Sequence, residues 1–213
     1  MNVSQLIKRI IIALPEFPPV DSIFLSDINT ALLRLCRSFR FPDLIDSNTV
    51  TVIGSGSGIV ALPADYHHNL FEATSVTHSN EPIRIRSNIK AMDRDYPDTQ
   101  SKIGRVKDVA ENSGNLHCLP VPADDESLLV RYYRKAATLV NDSDEPEGIP
   151  DYLQEDLLVG YVVKDKLPLV SKSLGLKLQH YISDYNSALE EAQDYCRQSP
   201  RQKPFIKRTH VFF

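Results

Sequence analysis

The sequence predicts an α+β protein: a helical bundle built from N- and C-terminal helices, with an inserted small antiparallel β domain and an extended C-terminal tail. Two changes of pattern predict this class. Apolar residues recur at helical spacing near both ends of the chain, whereas residues 49–135 contain short β-rich runs separated by turn residues. Beyond Pro200 the helical period is lost. A β domain inserted between two groups of helices is then the economical architecture.

The N-terminal helical hairpin is predicted over residues 1–48. An apolar stripe indicates a first helix that ends before Pro15, formed by Val3, Ile7, Ile10 and Leu14. The continuous apolar run, residues 10–14, is short and is not followed by a small-residue cleavage site. We therefore expect it to remain part of the protein and not to act as a signal peptide. A second helix is expected to begin at Ser26, a favoured N-cap residue, and to end before Pro42. Its apolar face consists of Ile28, Leu32, Leu35 and Phe39.

The inserted β domain is predicted over residues 49–135, with five to seven short strands in a sandwich-like or barrel-like arrangement. The candidate strands are 49–53, 59–62, 70–77, 82–86, 106–110, 116–121 and 128–134. One short helix, at about 88–96, interrupts them. The Gly/Ser run 54–58 is expected to be a flexible turn. It lacks the GK[ST] ending of a phosphate-binding loop and precedes a strand, so nucleotide binding is not expected.

Residues 136–198 are predicted to form an acidic loop and the C-terminal helices that complete the bundle. Pro150 fits the first position of a helix, because its missing N–H would have no intrahelical partner there. Seven acids lie in the loop and the first helical turns, where the helix dipole favours them: Asp142, Asp144, Glu145, Glu147, Asp151, Glu155 and Asp156. A long last helix is predicted by apolar residues at alternating spacings of four and three: Leu178, Ile182, Tyr185, Leu189, Ala192 and Cys196.

Charge is divided unevenly along the chain. From Arg197 to the C-terminus there are five bases and no acid, so the preceding 196 residues carry 19 bases and 28 acids, a net charge of −9. An acidic body argues against a protein that grips nucleic acid over a broad surface, since such binding neutralises phosphates. There is also no apolar run of about 18 residues, so no membrane span is expected. The three cysteines lack CxxC spacing and are expected to be reduced.

Three pairs of adjacent residues could suggest a chemical site: His67 and His68, His117 and Cys118, and Glu190 and Glu191. Neighbouring side chains point apart on a regular element, so the two histidines are not expected to share a zinc ion, and the cysteine is not expected to meet its base. The glutamate pair is expected on a solvated helix face. We therefore predict no catalytic residue, no metal site and no cofactor.

Four short motifs follow one another in the order of a known family: Leu62-Pro63-Ala64-Asp65-Tyr66, Leu119-Pro120-Val121-Pro122, Val130-Arg131-Tyr132-Tyr133-Arg134, and Asp144 to Pro146 followed by Ile149-Pro150-Asp151-Tyr152. Their order and spacing resemble the head-to-tail adaptor (connector) proteins of tailed bacteriophages, particularly short-tailed ones. The resemblance extends from the N-terminal hairpin to the end of the long C-terminal helix.

The resemblance implies a structural virion protein and no enzyme. Such adaptors form a ring, commonly of twelve subunits, between the portal and the tail, where they seal the head and continue the DNA channel for genome ejection. The implied partners are the portal ring, further copies of the chain and tail nozzle or fibre proteins. Double-stranded DNA would be enclosed without sequence-specific binding. The implied location is the virion neck, after assembly in the host bacterial cytoplasm.

Two groups of residues are predicted to serve this role. The extended tail, residues 199–213, is expected to dock onto the portal, with folding back onto its own body as the alternative; the residues concerned are Arg201, Lys203, Phe205, Ile206, Lys207, Arg208, Val211, Phe212 and Phe213. The seven acids between 142 and 156 are candidates for lining the channel, where negative charge would repel DNA and let it slide. Two alternatives stay open: a non-viral helical interaction module, and an adaptor with an additional cell-wall hydrolase activity.

Overall fold

The computed structural model describes residues 1–18, 20–97 and 103–198. The chain divides into two compact units: a helical unit of Met1–Asp43 and Ala136–Phe213, and a β unit of Leu44–Lys135. The mixed α/β composition expected from the sequence is confirmed, with helices and two small, mainly antiparallel sheets. The first predicted boundary, 48/49, lies later than the division after Asp43, because the first strand begins earlier than expected.

The helices are, in chain order, α1 Val3–Ala13, α2 Asp21–Ser38, α3 Ile89–Asp95, α4 Asp151–Gln154, α5 Gly160–Lys166, α6 Lys172–Lys177 and α7 Gln179–Gln198. A π-helical segment, Glu155–Val159, joins α4 to α5, and short 3-10 turns occupy Pro42–Leu44 and Leu167–Leu169. The strands are β1 Ile45–Val52, β2 Ile59–Ala61, β3 Tyr66–Ser75, β4 Glu81–Pro82, β5 Arg84–Arg86, β6 Asp108–Asn112, β7 Asn115–Leu119 and β8 Glu126–Arg134.

The start of α2 differs from the prediction. The helix begins at Asp21, and Ser26 lies inside it and not at its N-cap. The N-cap is Val20, whose side chain makes no capping hydrogen bond. Phe24, in the first turn, is 1% exposed. Burial of this ring stabilises the additional turn by about 2 kcal/mol, which outweighs the missing cap of about 1 kcal/mol.

The core of the helical unit is formed by the apolar faces of α1, α2, the helix from α4 to α5, and α7. Its buried side chains include Leu6, Ile10, Phe24, Ile28, Leu32, Leu157, Leu158, Val162, Tyr185, Ala188 and Ala192. The apolar face predicted for the last helix is only partly used, since Ile182, Leu189 and Cys196 are half-buried. The described part of α7 therefore keeps apolar surface beyond what its own unit covers.

A widened turn sets how the helix from α4 to α5 packs. Pro150 is the N-cap of α4 (φ −54°, ψ 139°), so the helix starts one residue later than predicted. The π-helical segment then brings Leu157, Leu158 and Val159 into the core together. Gly160 follows directly, and a Cβ atom there would lie 2.7 Å from the Cβ of Tyr185. The absence of a side chain at 160 allows α5 and α7 to approach closely.

The β unit consists of two four-stranded sheets, with strand orders β1-β8-β3-β4 and β2-β7-β6-β5. Only the β5–β6 pair is parallel among the strand pairs of the described residues. One hydrophobic core takes side chains from both sheets, which is the sandwich-like arrangement predicted; examples are Val50, Leu70, Leu128 and Val130 from the first sheet and Val109, Leu116 and Cys118 from the second. Strand β1 begins at Ile45 because the polar residues 46–48, which look like a turn, pair with β8.

The Gly/Ser run forms a turn, as expected, and its backbone makes hydrogen bonds to the rest of the β unit. The N–H of Ser55 donates to the carbonyl of Pro122 (2.7 Å), and the N–H of Cys118 donates to the carbonyl of Gly58 (2.8 Å). A Cβ atom on Gly58, where φ is +68°, would lie 2.7 Å from the carbonyl oxygen of Cys118. These glycines are used for close backbone approach.

The prediction that His67 and His68 point apart is wrong. Their Nδ1 atoms lie 3.2 Å apart, and the two rings meet edge to face. The strand is irregular here: the pairing with β8 shifts register on both sides of His68, and Asn69 has a φ of +57°. A bulge of this kind turns successive side chains towards each other and removes the strict alternation on which the prediction depended.

Two carboxylates are buried in the β unit, and both are satisfied. Asp108 accepts hydrogen bonds from Nε of Arg84 (2.7 Å), Nε of Arg86 (2.5 Å) and the hydroxyl of Tyr96 (2.6 Å). Glu126 accepts from the hydroxyl of Ser75 (2.5 Å) and from the N–H of Val106 (2.9 Å). The Asp108 network joins β5, β6 and the chain after α3. The Glu126 network joins β3 and β8 to the residues just before β6.

Candidate functional site

The residues singled out for chemistry bear on two kinds of site, a metal site and a reactive thiol. Within the described residues, no group of three or more His, Cys, Asp or Glu side chains could hold a metal ion. Cys118 is 1% exposed, and burial, with a smaller contribution from Glu126, raises the pKa of its thiol to about 12. The thiol therefore stays protonated near neutral pH.

The acidic loop is built into the start of α1. The N–H of Val3 donates to the carbonyl of Asp144 (2.9 Å), and the N–H of Ser4 donates to the carbonyl of Asp142 (3.1 Å). Asn2 and Gln5 complete a capping box at the same helix end. The loop therefore satisfies N–H groups of α1 that have no partner within the helix.

The carboxylate of Asp144 shapes this loop. It accepts hydrogen bonds from the backbone N–H groups of Val140 and Asn141, each at 2.8 Å. The bond from Asn141, followed by that from Val140, lowers the pKa of Asp144. The carboxylate of Asp144 therefore makes its hydrogen bonds within its own turn.

Gln154 joins the loop to the start of α4. It is 2% exposed, and its side-chain nitrogen lies within 3.2 Å of the carbonyls of Pro146 and Ile149 and of Oδ1 of Asp151. Its oxygen accepts a hydrogen bond from the amino group of Met1 (2.6 Å). Nothing in the sequence pattern indicated this residue, because its partners are brought together only by the fold.

Asp156 marks a different acidic surface on the same helix. Its neighbour Glu155 pairs with Arg9 (3.2 Å). The pKa of Asp156 is raised by burial first and then by the nearby carboxylates Asp184, Glu155 and Glu191. We call Asp156, Asp184 and Glu191 the acidic stripe. It spans the π-helical segment and α7, so the structure adds two acids that the sequence analysis had not connected with residues 142–156.

The seven predicted acids thus divide into groups. Asp144, Asp151 and Glu155 are engaged by neighbours in the helical unit, and Asp156 belongs to the acidic stripe. Asp142 and Glu145 are exposed, with no side-chain partner among the described residues. Glu147 is also exposed. Two exposed apolar residues lie beside these acids, Val140 (68%) and Tyr152 (63%).

A second surface of the helical unit is apolar and not covered. Residues 167–177, which we call the apolar segment, comprise the 3-10 turn after α5 and all of α6. None of these residues is buried, although five are large and apolar: Leu167, Leu169, Val170, Leu174 and Leu176. Leu169 is 71% exposed and Leu176 is 76% exposed.

The β unit contains a cleft of about 510 Å³ between the Gly/Ser run and α3. Its walls are largely apolar, with Ile59, Ile89, Met92 and Leu119 among them, and Asp93 is the one acid among the described residues that line it.

The predicted portal-docking residues, from Arg201 to Phe213, lie outside the described residues. No helix in the described ranges is sufficiently long and apolar to span a bilayer. Comparison with protein families gives a match to the SU10 adaptor protein family over residues 1–205. A search of curated proteins found no match.

Proposed function

The chain belongs to the SU10 adaptor protein family, and from this premise we propose that it forms a ring between the portal and the tail of a phage particle. It is a phage head-to-tail adaptor, a structural protein of the virion neck. In the proposal, about twelve copies seal the filled head and continue the DNA channel, with residues 199–213 docking onto the portal. The observation that carries the proposal is the family match, because it covers both units.

The exposed surface of the helical unit supports the proposal that this chain assembles with further copies of itself. A ring requires contacts between different patches of neighbouring copies that close on themselves. The half-buried face of α7 and the apolar segment supply apolar surface beyond the needs of one subunit. Proteins that remain monomeric rarely expose such contiguous apolar surface without a use for it.

The acidic stripe is the part of the helical unit that we propose faces the channel. Three carboxylates held close together maintain negative charge at a cost to the folded state, which the raised pKa of Asp156 reflects. A negatively charged wall repels the phosphate backbone, so DNA passes without adhering. The stripe replaces the larger set of seven acids as the channel candidate, because three of those seven are engaged in local contacts.

Removal of the tail tests the portal contact. A chain that ends at Gln198 should lose at least tenfold in affinity for the portal ring of its own phage, measured by light scattering behind a sizing column. The matched control keeps residues 199–213 in scrambled order, which preserves charge and composition. Unchanged binding by the truncated chain would contradict the tail's role, and equal binding by the scrambled tail would reduce that role to general charge attraction.

Neutralisation of the stripe tests the channel. Particles carrying Asp156→Asn, Asp184→Asn and Glu191→Gln should eject DNA several-fold more slowly, since DNA would adhere to the wall. The control removes the same number of charges from exposed positions of the β unit, with Asp93→Asn, Asp124→Asn and Asp125→Asn. Equal ejection rates in the two sets of particles would show that the stripe does not face DNA.

The proposal also treats the subunit as structural and not catalytic. The alternative of an added cell-wall hydrolase is tested by a peptidoglycan clearing assay with purified protein. Clearing by the wild-type chain that is lost on Asp93→Asn, the acid that lines the cleft, would favour the hydrolase.

A further inference from the structure

We propose that the apolar segment of one copy docks onto the acidic loop surface of the next copy, and that this contact builds the ring. The receiving surface, which we call the acidic face, consists of Val140, Asp142, Glu145, Asp151 and Tyr152. The inference depends on the proposed function and deepens it by naming both sides of the contact between subunits. Four properties of the two surfaces support the inference: their exposure, their local order, their charge and their positions in the subunit.

Burial identifies the apolar segment as a contact surface. Leu169 and Leu176 are each more than two-thirds exposed, and no residue between 167 and 177 is buried. A helix such as α6, with one exposed and one half-buried leucine and no buried side chain, gains little from packing within its own unit. Burial against a partner would remove this apolar surface from water.

The segment is nevertheless held in one arrangement. Glu16 accepts hydrogen bonds from the N–H of Ser171 (2.9 Å) and from its hydroxyl (2.5 Å). These two bonds lower the pKa of Glu16, the side-chain bond having the larger effect. Lys166, which precedes the segment, pairs with Asp27 at 3.0 Å. A surface that is ordered before it binds loses less conformational entropy on association.

Charge identifies the partner. The segment carries two bases, Lys172 and Lys177, and no acid. The acidic face lies in a stretch, between Ala136 and Val163, that contains no Lys or Arg. Both stretches combine exposed apolar side chains with charges of one sign along their own sequence, and the signs are opposite; the acid that contacts the apolar segment, Glu16, is engaged by Ser171. A second copy of this chain therefore supplies a partner that is complementary in both respects.

Position indicates that the contact is between different patches. The acidic face lies at the N-terminal end of α1, since Asp142 and Asp144 accept from its first N–H groups. The apolar segment lies beyond its C-terminal end, where Glu16 holds Ser171. An 11-residue helix is about 16 Å long, so one patch cannot reach the other within the same subunit. Two separate, complementary patches generate a head-to-tail contact, which forms a ring when the rotation closes.

Charge reversal tests the contact on the portal. The variant Lys172→Glu with Lys177→Glu should need at least tenfold more protein to fill a portal ring, and so should Asp142→Lys with Glu145→Lys. One chain that carries all four changes should fill the ring within about threefold of the wild-type concentration, because the signs are again opposite. Light scattering behind a sizing column measures the number of copies bound. Ile53→Asp, at a residue of the β unit that is 68% exposed, is the control and should assemble normally.

Cross-linking tests the contact without a portal. In a Cys196→Ser background, Leu176→Cys and Tyr152→Cys chains are mixed and oxidised. The mixture should give disulfide-linked dimers at several times the yield of either chain alone, because the contact pairs unlike patches. Equal yields in all three samples would overturn the inference, even if wild-type protein fills the portal. Enriched mixed dimers from a chain that ignores the portal would support this contact and contradict the proposed function.

Discussion

The two units of this chain bury different kinds of polar group and expose apolar side chains in different arrangements. The β unit buries two carboxylates, Asp108 and Glu126, and surrounds each with donors. The helical unit buries a neutral amide, Gln154, and leaves the apolar segment without any buried residue. The β unit also exposes apolar side chains, such as Ile53 (68%) and Ile103 (65%), but these lie singly in its strands and loops. In the helical unit the exposed leucines follow one another in a single segment, which is why we propose this unit for the contacts between copies.

The largest effect is expected in the β unit, on removing the carboxylate of Asp108. Asp108→Ala removes the buried acceptor that Arg84, Arg86 and the Tyr96 hydroxyl share, although Arg86 keeps its pair with Asp95. Loss of one partner of a buried pair costs about 3 kcal/mol, somewhat less here because Arg84 is largely exposed. Denaturant unfolding measures the loss, and hydrogen exchange should locate it in β5 and β6. The control Asp93→Asn, at an exposed position, should change the free energy of unfolding by under about 0.5 kcal/mol.

The same carboxylate gives the β unit a pH dependence. Burial alone would raise the pKa of Asp108, but hydrogen bonds from Arg84, Tyr96 and Arg86 outweigh it and lower the pKa below its ordinary value of 3.8. The stabilisation is then fully present above pH 3.8 and is lost as the pH falls through the lower pKa of the folded state. The difference in stability between wild type and Asp108→Asn should shrink over that range, and a constant difference would contradict the assignment.

Local pattern was sufficient to predict most elements and insufficient for contacts between them. A β-rich run predicted β8, and apolar spacings of four and three predicted α7, because each pattern is local to its own segment. The start of α2 was missed because a good N-cap residue, Ser26, occurs inside the helix, where burial of Phe24 decides the outcome. The contact between His67 and His68 was missed because a bulge removes the alternation, and a single sequence does not reveal the bulge.

The next largest effect is expected at the buried amide of the helical unit. Gln154→Ala leaves the carbonyls of Pro146 and Ile149 without their side-chain donor, and each unsatisfied buried group costs about 1 kcal/mol or more. We expect a loss of about 2 kcal/mol in the free energy of unfolding, together with faster hydrogen exchange at the start of α1. Gln193→Ala, on the exposed side of α7, provides the control. A loss confined to the β unit would contradict the role of Gln154 as the joint of the acidic loop.

A smaller effect is expected from a methyl group where α5 meets α7. Gly160→Ala should gain up to about 1 kcal/mol in helix propensity, but its Cβ would lie 2.7 Å from that of Tyr185, and separating the helices costs about 2–3 kcal/mol. The net result should be a loss of about 1–2 kcal/mol. At Gly175 the nearest atom to such a Cβ is 3.8 Å away, so Gly175→Ala should be neutral or slightly stabilising. Equal melting temperatures for the two variants would show that the close approach at Gly160 is not needed.

The candidate surfaces were predicted only in part, because they depend on contacts between residues that are far apart in the sequence. The run of acids from Asp142 to Asp156 was visible in the sequence, but its division into loop-forming and outward-facing members depends on partners far along the chain. Asp144 is used by its own turn, and Asp156 joins Asp184 and Glu191 only after α7 packs on the helix. The apolar segment was overlooked because leucines in a short linker look like ordinary core residues until their exposure is known.

The smallest effect on the free energy of unfolding is expected at the acidic stripe, where the substitution should stabilise the protein. Asp156→Asn removes a carboxylate whose pKa is raised by burial and by its acidic neighbours. A raised pKa means that the folded state holds this proton more tightly, so stability is lost as the pH rises through the pKa and is regained on acidification. The variant should therefore be more stable than wild type at pH 7 by about 0.5 kcal/mol, and the two should converge below the ordinary pKa of 3.8. Thermal unfolding at several pH values measures the difference. A surface charge that destabilises the subunit is useful only through what it does in the assembled particle. The same substitution is therefore expected to stabilise the isolated subunit and to slow the passage of DNA.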